Sequence, residues 1–504
     1  MKVNLLNCED YLISDVLPFK NDIFEDLMLE PILEVMSKND KFVYTACKNI
    51  LLAPTSDRKN ILHRQAALQE AIENKKHIFS LYSIISEVFT DLTLLRSRTK
   101  KNGNPLPAVR VLNSIETLDL LSTGLERLKS AVVDANNQFK PGIFRDFFEA
   151  FLKEYDTNFM TLVHEKCQAL RTLQVGGEIQ ISGRIGRGMK CDSLTVNSIS
   201  EVRAKRKFEK WDSLFGIRLH KDEIRISYED VQLTRDCKDL ESTGLLHVAS
   251  CFEEFNNDLS RLFETLRTQI AFFYGSCNLH THMSGMAFGL CFPEIDEHPR
   301  SIEGKGFYDL TLAIKNLRRP MDNNLKGADT LLYIITGINH GGKSTFVRSI
   351  AIAQIMAQVG LFVPALAMRT SLYRGIFTHF VRNEDVTMTA GRLEEELSRL
   401  SRIVDMMKPN SLIFLNESFA TTSENEGATI ANDIISALNA NEVTVFFVTH
   451  IYAYARKAYQ EKFPRTKFLS AERNERSERT FRIVEGEPSF TGYGMEMYRE
   501  IIPQ

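Results

Sequence analysis

The sequence predicts a multidomain chain of α and α/β class: a helical core and lever with a small β-containing insertion, followed by an α/β domain. Three observations predict it. At 504 residues the chain is too long for one core, so two to four domains are expected. Apolar residues recur at helical spacing through most of the first 320 positions. From Leu331 onward, short apolar runs alternate with helical patterns, which builds a largely parallel sheet flanked by helices. The expected boundaries are 1–320 for the helical part, with the insertion at about 172–235, and 321–504 for the α/β domain.

Taken in order, Phe24 to Leu29 continues into Ile32, Leu33 and Met36, one apolar helical face. Pro54-Thr55-Ser56-Asp57 resembles a helix cap and precedes Ile61, Leu62, Ala66, Leu68 and Ile72 with charges between them. Ser97 to Pro105 is a polar, basic loop. Leu112 to Ala131 and Phe144 to Leu170 predict further long amphipathic helices.

Near residue 172 the pattern changes. Glu178 to Ser182 and Glu223 to Ser227 alternate apolar and polar residues, as half-buried strands do. Between them lie two basic clusters, one holding Arg184, Arg187 and Lys190, the other Arg203, Lys205, Arg206 and Lys207. They are candidate contacts for the phosphate backbone of double-stranded DNA, with solvated loop tips as the alternative. The Gly-Arg spacing is not a dinucleotide fingerprint, because no helix pattern follows it. A long helix returns from Cys251 to Cys277, with Phe252, Phe255, Leu259, Leu262, Phe263, Leu266 and Ile270 on one face. Cys277, His280 and His282 lie close together, but no fourth ligand is evident and a metal site is not favoured. Phe307 to Leu317 and the polar stretch Arg318 to Lys326 lead into the α/β domain.

That domain opens with Leu331 to Ile335, then Gly337-Ile338-Asn339-His340-Gly341-Gly342-Lys343-Ser344-Thr345, then a helical pattern from Phe346. Strand, glycine loop and helix start is the context of a P-loop NTPase. Gly337 and Gly342 let the backbone curl so that N–H groups converge on an anion, and the helix adds its positive dipole end. Lys343 would reach the β- and γ-phosphates of ATP, and the Ser344 hydroxyl would ligate Mg²⁺. Ile350 to Met368 runs nineteen residues without a charge, long enough for a membrane span. Gln354, Gln358, Gly360 and Pro364 instead predict a buried helix followed by a loop or strand.

Three further apolar runs follow. Ser411 to Leu415 ends in Asn416-Glu417, Val443 to Val448 ends in Thr449-His450, and Thr480 to Val484 comes last. A parallel sheet carries its ligands at the carboxyl ends of its strands. Glu417 is thereby a candidate to orient or deprotonate an attacking water, and His450 to sense the γ-phosphate.

The bulk numbers limit the partners. Apolar content of 43% and charged content of 25% are ordinary for a globular protein. A net charge of −3 excludes coating of nucleic acid by bulk positive charge, so any DNA grip must be local. Eight cysteines without a CxxC pair indicate neither a zinc ribbon nor a disulfide framework, and a reducing cytoplasm fits best. The N-terminus lacks a secretory apolar region, and no membrane association is expected.

Thr336 to Thr345 is similar to the TGPNMGGKST loop of the MutS mismatch-repair ATPases. Leu415 to Gly427 looks like their LDEIGRGTSTYDG stretch, Thr449-His450 matches their TH switch, and Gly486 to Tyr498 resembles their closing SYGI segment. The four segments occur in family order. The helical part resembles the family's core and lever, and the insertion its DNA-gripping clamp. The resemblance implies an ABC-type ATPase domain like MutS domain V, ATP with Mg²⁺, a homodimer, and DNA binding in mismatch repair or junction processing. Residues 1–504 leave no room for the mismatch-reading domain or the Smr nuclease of one branch, so a reduced relative is expected. Phe292-Pro293-Glu294 spells the mismatch wedge but precedes the ATPase domain, and is read as coincidence.

Two departures qualify what is implied. Asn416 stands where the family has Asp, which removes a negative charge from the Mg²⁺ shell and predicts slow hydrolysis. The family's Ser-Thr signature aligns near Gly391-Arg392-Leu393-Glu394-Glu395, where its hydroxyls are missing, and Leu393, Leu397, Leu400 and Val404 read as a core-packing stripe. An assembly or regulatory ATPase that does not touch DNA is the alternative. A transporter-type subunit is disfavoured, since no LSGGQ-like signature occurs.

Overall fold

A computed structural model describes residues 3–8, 17–99, 107–163, 165, 178–185, 191–200, 231–381, 391–473 and 479–488. Helices α1 (Lys20–Asp26), α2 (Glu30–Ser37), α3 (Lys41–Leu51) and α4 (Arg58–Glu73) precede the longer α5 (Lys75–Thr99), α6 (Pro107–Asn136) and α7 (Ile143–Glu154). The hairpin strands β1 (Glu178–Ile185) and β2 (Cys191–Ser200) come next, then the 55-residue helix α8 (Val231–Gly285). The chain forms two compact units. One comprises Lys76–Pro141 and Arg145–Ile270, the other Lys2–Lys75, Gly142–Phe144 and Ala271–Gln504.

The first unit is a helical assembly. On α5, Ile78, Leu81, Tyr82, Ile85, Val88 and Leu92 are buried at helical spacing. Lys75–Arg98 is also long and apolar enough to cross a membrane, but that stripe is what an amphipathic core helix needs. A Cβ on Gly124 of α6 would lie 2.5 Å from Val88, so the glycine permits close approach. Arg110 forks onto Glu253 of α8 at 3.1 and 2.7 Å, and Asn256 donates to the Ser114 carbonyl at 2.8 Å.

Several expectations in this unit are corrected. Phe144 to Leu170 is not one helix: α7 ends at Glu154, and Asp156 accepts the Phe159 N–H at 2.7 Å to start a new turn. The helix expected from Cys251 to Cys277 is longer at both ends. Strand β1 pairs antiparallel with β2, from Glu178↔Ser200 to Ile185↔Cys191; Glu223 to Ser227 lie outside the described residues. Arg184 falls on β1. Arg187, Lys190, Arg203, Lys205, Arg206 and Lys207 lie outside the described residues.

The second unit begins with α1–α4. The apolar run Phe24 to Met36 is broken into α1 and α2, because Met28 adopts a left-handed φ of 54° and Pro31 sits at the start of α2. Asp57 caps α4 by accepting the Lys59 N–H at 2.9 Å. The buried Arg64 binds the Leu6 carbonyl and the Asn7 side chain, both at 2.7 Å.

Beyond α8, the elements are β3 (Glu294–Ile295), β4 (Ile302–Phe307), α9 (Leu310–Asn316), β5 (Asn323–Leu325), β6 (Leu332–Thr336), α10 (Lys343–Gln358), β7 (Ala367–Thr370) and β8 (Ile376–Phe380). There follow α11 (Arg392–Met406), β9 (Leu412–Asn416), α12 (Glu424–Ala440), β10 (Thr444–Val448), α13 (Tyr452–Gln460), β11 (Thr466–Arg473) and β12 (Arg479–Glu485). The main sheet has the order β12-β11-β6-β10-β9-β8. Five strands are parallel, with β12 antiparallel at one edge. A smaller sheet has the order β3-β7-β4-β5.

Strands β6, β8 and β10 are buried throughout, and Leu332, Ile334, Ile413, Leu415, Val445 and Phe447 share one core with α11–α13. Of the stripe expected on α11, Leu400 enters that core and Leu397 packs against it, while Val404 is exposed and Ile403 takes the buried position instead. Ile350 to Met368 is not a continuous helix: α10 ends at Gln358, Gly360 turns with φ of 80°, and Ala367 begins β7. Gln354 donates to the Ser371 carbonyl and Gln358 to that of Tyr373, which is how a buried helix satisfies its amides.

Candidate functional site

The carboxyl ends of β6, β9 and β10 lie side by side, and each carries part of the site. Strand β6 runs into Gly337, whose φ of 119° suits glycine alone; a Cβ there would lie 2.9 Å from the Ala471 backbone nitrogen. The loop returns through Gly342, with φ of 93°, into α10, which starts without a side-chain cap. A helix start of that kind leaves backbone donors for an anion. Lys343 is buried, and its Nζ donates to the Gly337 and Ile338 carbonyls at 2.8 Å each. Burial pushes its ammonium down to about 8, against the opposing pull of Glu417.

Glu417 follows β9 in a left-handed conformation, φ 60°, with its N–H on the Val448 carbonyl at 2.9 Å. Such a backbone costs energy and persists because its surroundings hold it. His450, just past β10, places Nε2 3.1 Å from Glu417 Oε1. That hydrogen bond holds the Glu417 carboxyl below its ordinary range, while burial works against it. Beside it, Asn416 Oδ1 is buried without a hydrogen-bond partner. An orphaned amide oxygen at the end of β9 has the chemistry to accept from the water shell of a divalent ion, more weakly than a carboxylate would.

A cavity of about 790 Å³ joins these groups. It is lined by Asn339 to Thr345, Glu417 and His450, and by Leu312, Pro320, Met321, Asn323 and Phe481. The volume is that of a nucleotide-sized ligand. Leu312, Pro320, Met321 and Phe481 escaped sequence reading because they are ordinary residues scattered over α9, the segment before β5, and β12. Asn323 locks two of these pieces by accepting the Ile483 N–H at 2.7 Å.

The loop after Glu417 has supports that sequence reading also missed. Glu396 of α11 accepts the Phe419 N–H at 2.6 Å and the Thr421 hydroxyl at 3.0 Å. His379 of β8 hydrogen-bonds Ser418 Oγ at 2.8 Å. Phe419 is left-handed, φ 67°, and a Cβ on Gly427 would lie 2.7 Å from its carbonyl oxygen. Glu396 follows two other glutamates and reads in sequence as part of a solvated face.

Among the described residues no group of three His, Cys, Asp or Glu could hold a metal. Cys277 instead donates to the Ala71 carbonyl, with burial pushing its thiol up to about 12, and His280 stacks edge-on to Phe362. Phe292 also packs against Phe362, and the Pro293 carbonyl accepts from Gln65 at 3.1 Å.

Residues 56–286 match the family described as MutS2 N-terminal domain, and residues 333–502 match MutS domain V. The chain belongs to the MutS family. It is 25% identical over 464 residues to the DNA mismatch repair protein MSH3 of Pyricularia oryzae, covering 80% of this chain and 39% of that protein. The DNA mismatch repair protein MutS of Caldanaerobacter subterraneus is 24% identical over 455 residues, 80% of this chain and 49% of that one. Thermus aquaticus MutS is 33% identical over 178 residues, 35% and 21% of the two chains. The chain thus spans less than half the length of these MutS-family relatives. Within the domain V match lie the glycine loop, Glu417 and His450. The closing segment Gly486 to Tyr498 lies within it too, but from residue 489 onward it falls outside the described residues.

Proposed function

We propose that this MutS-family chain binds ATP in the cavity, hydrolyses it slowly, and uses nucleotide state to control a clamp on double-stranded DNA. One observation carries the reading: the Gly337–Thr345 loop, Glu417 and His450 converge on one cavity at adjacent strand ends. Lys343 exchanges its two loop carbonyls for phosphate oxygens, and the N–H groups of the loop and α10 hold the remaining charge. Ser344 and Asn416 are the residues that would hold Mg²⁺, which when bound would neutralise phosphate charge. Glu417 orients the attacking water and accepts its proton; His450, on the other side of that carboxylate, responds to the γ-phosphate.

Two expectations follow from the charges. Deprotonation of Lys343 should make ATP affinity fall above about pH 8, approaching about tenfold per pH unit. The sign is set by Lys343: its ammonium is favoured in the complex but depressed in the free site, so binding takes up a proton near that pH. Calorimetry in two buffers of different ionisation enthalpy measures the uptake, and its absence at about pH 8 would separate Lys343 from the phosphates. Asn416→Asp restores a carboxylate to the metal shell and should raise turnover several-fold, roughly 1 kcal/mol in the barrier. Phosphate release at saturating ATP decides it, and an unchanged rate retires the missing charge as the limit.

The DNA part rests on the basic clusters around Arg184, Arg187 and Lys190 and at Arg203, Lys205, Arg206 and Lys207, and on the DNA mismatch repair names of the relatives. Neutralising Lys205, Arg206 and Lys207 together should weaken duplex binding and reduce its salt slope by about 3. Fluorescence anisotropy on mismatched, branched and plain duplexes, with and without ATP, is the test. Salt-independent or absent binding on all three favours a regulatory ATPase that does not touch DNA. Homodimerisation and a cytoplasmic setting belong to the same proposal, and sedimentation with and without ATP addresses the first.

A further inference from the structure

Glu417 holds a left-handed backbone, φ 60°, and two residues later Phe419 repeats it at φ 67°. Neither is glycine, so each costs energy that contacts from elsewhere must offset. One such contact is backbone pairing, the Glu417 N–H on the Val448 carbonyl. Others come from α11 and β8, and they meet at Glu396.

Side chain and main chain of Glu396 reach the same turn. Oε1 accepts the Phe419 N–H at 2.6 Å, and Oε2 accepts the Thr421 hydroxyl at 3.0 Å. The Glu396 carbonyl accepts from His379 Nε2 at 3.2 Å, and the other ring nitrogen of His379 pairs with Ser418 Oγ at 2.8 Å. Ser418, Phe419 and His379 are buried, so these bonds compete little with water. Packing alone would anchor Phe419, which already enters the core shared with α11–α13. A carboxylate gripping two points adds what packing lacks, a fixed direction for the chain as it leaves Glu417.

Glu396 does not line the nucleotide cavity. It lines a separate cavity of about 200 Å³, together with His379, Thr421, Arg399 and Arg402. Its route to the reaction therefore runs through the turn.

On the reading that Glu417 serves ATP hydrolysis, we propose that Glu396 is its positioning residue: by holding the turn Ser418 to Thr421, it sets the direction in which the Glu417 carboxylate meets the attacking water. The leverage is large, because misplacing a reacting group by about 1 Å can cost about 100-fold in rate.

The experiment measures single-turnover phosphate release by the full chain at saturating ATP, for Glu396→Ala, Glu396→Gln, Glu417→Gln and the double variant Glu396→Ala with Glu417→Gln. Glu396→Ala should lower the rate by roughly 10- to 100-fold. Glutamine keeps an oxygen for the Phe419 N–H, weaker than a carboxylate oxygen, so Glu396→Gln should recover most of that loss and fall less than about fivefold. With Glu417→Gln already present, adding Glu396→Ala should cost less than about twofold, because no base remains to be aimed. A residue that served the fold alone would cost the same in both backgrounds. Equal losses overturn the inference, as does an unchanged rate in Glu396→Ala. Should Glu396→Ala fail to fold, Thr421→Val removes one of the two side-chain bonds and keeps the shape. It should cost about threefold beside Glu417 and nothing further beside Gln at that position, and equal losses again overturn the inference. An unchanged rate in Glu417→Gln alone removes the underlying assignment of Glu417, and that failure is seen without any change at Glu396.

Discussion

Lys343→Ala should abolish measurable ATP binding, weakening it by roughly 100-fold or more, the worth of about two charge-assisted hydrogen bonds to phosphate. The substitution is clean for a physical reason. The ammonium is buried and held down to about 8 by that burial, so it is poorly solvated in the free protein. Its Nζ donates to the Gly337 and Ile338 carbonyls. Removing it relieves a desolvated cation, so the fold should not depend on it; thermal melting within a few degrees of wild type is expected. Calorimetric titration with ATP reads the loss. A variant that folds and binds ATP normally would mean that the loop is not the phosphate site.

Glu417→Gln should separate binding from chemistry. Glutamine keeps the shape and can still pair with His450 across the present 3.1 Å, but it cannot accept a proton from water. Turnover should fall by roughly 10²- to 10⁴-fold, the usual contribution of a positioned general base, while ATP affinity stays within about threefold. Single-turnover phosphate release and nucleotide binding together give the split. A proportional loss of both would show that the left-handed turn at Glu417 was disturbed, and Glu396→Gln, whose carboxylate accepts from the Phe419 N–H and the Thr421 hydroxyl, then serves as the comparison. Unchanged turnover removes Glu417 from the mechanism.

Parts of this architecture were legible in the sequence because they are written contiguously. The loop Gly337 to Thr345 carries its glycines, lysine and hydroxyl in one stretch, and the apolar runs of β6, β9 and β10 are continuous because those strands are covered on both faces. The strands β8 and β11 were not legible. Ile376 to Phe380 interleaves Thr378 and His379 among apolar residues, and Thr466 to Arg473 is only half-buried beside the antiparallel edge. The helix expected through Phe24 to Met36 failed at one residue, Met28, whose left-handed backbone no periodicity announces.

What the sequence determined by itself is local: a glycine loop between a strand and a helix, and a carboxylate and an imidazole each directly after an apolar run. Backbone propensity and side-chain chemistry act over a few neighbouring residues, and a linear reading sees those. What only the tertiary structure decided is convergence. The order β11-β6-β10-β9-β8 brings Glu417 to His450, Glu396 accepts from the turn that follows Glu417, and Phe481 and Met321 line the same cavity as the glycine loop. Those partners lie far apart in the chain, and their chemistry becomes specific only when the sheet fixes their distances and excludes water from between them.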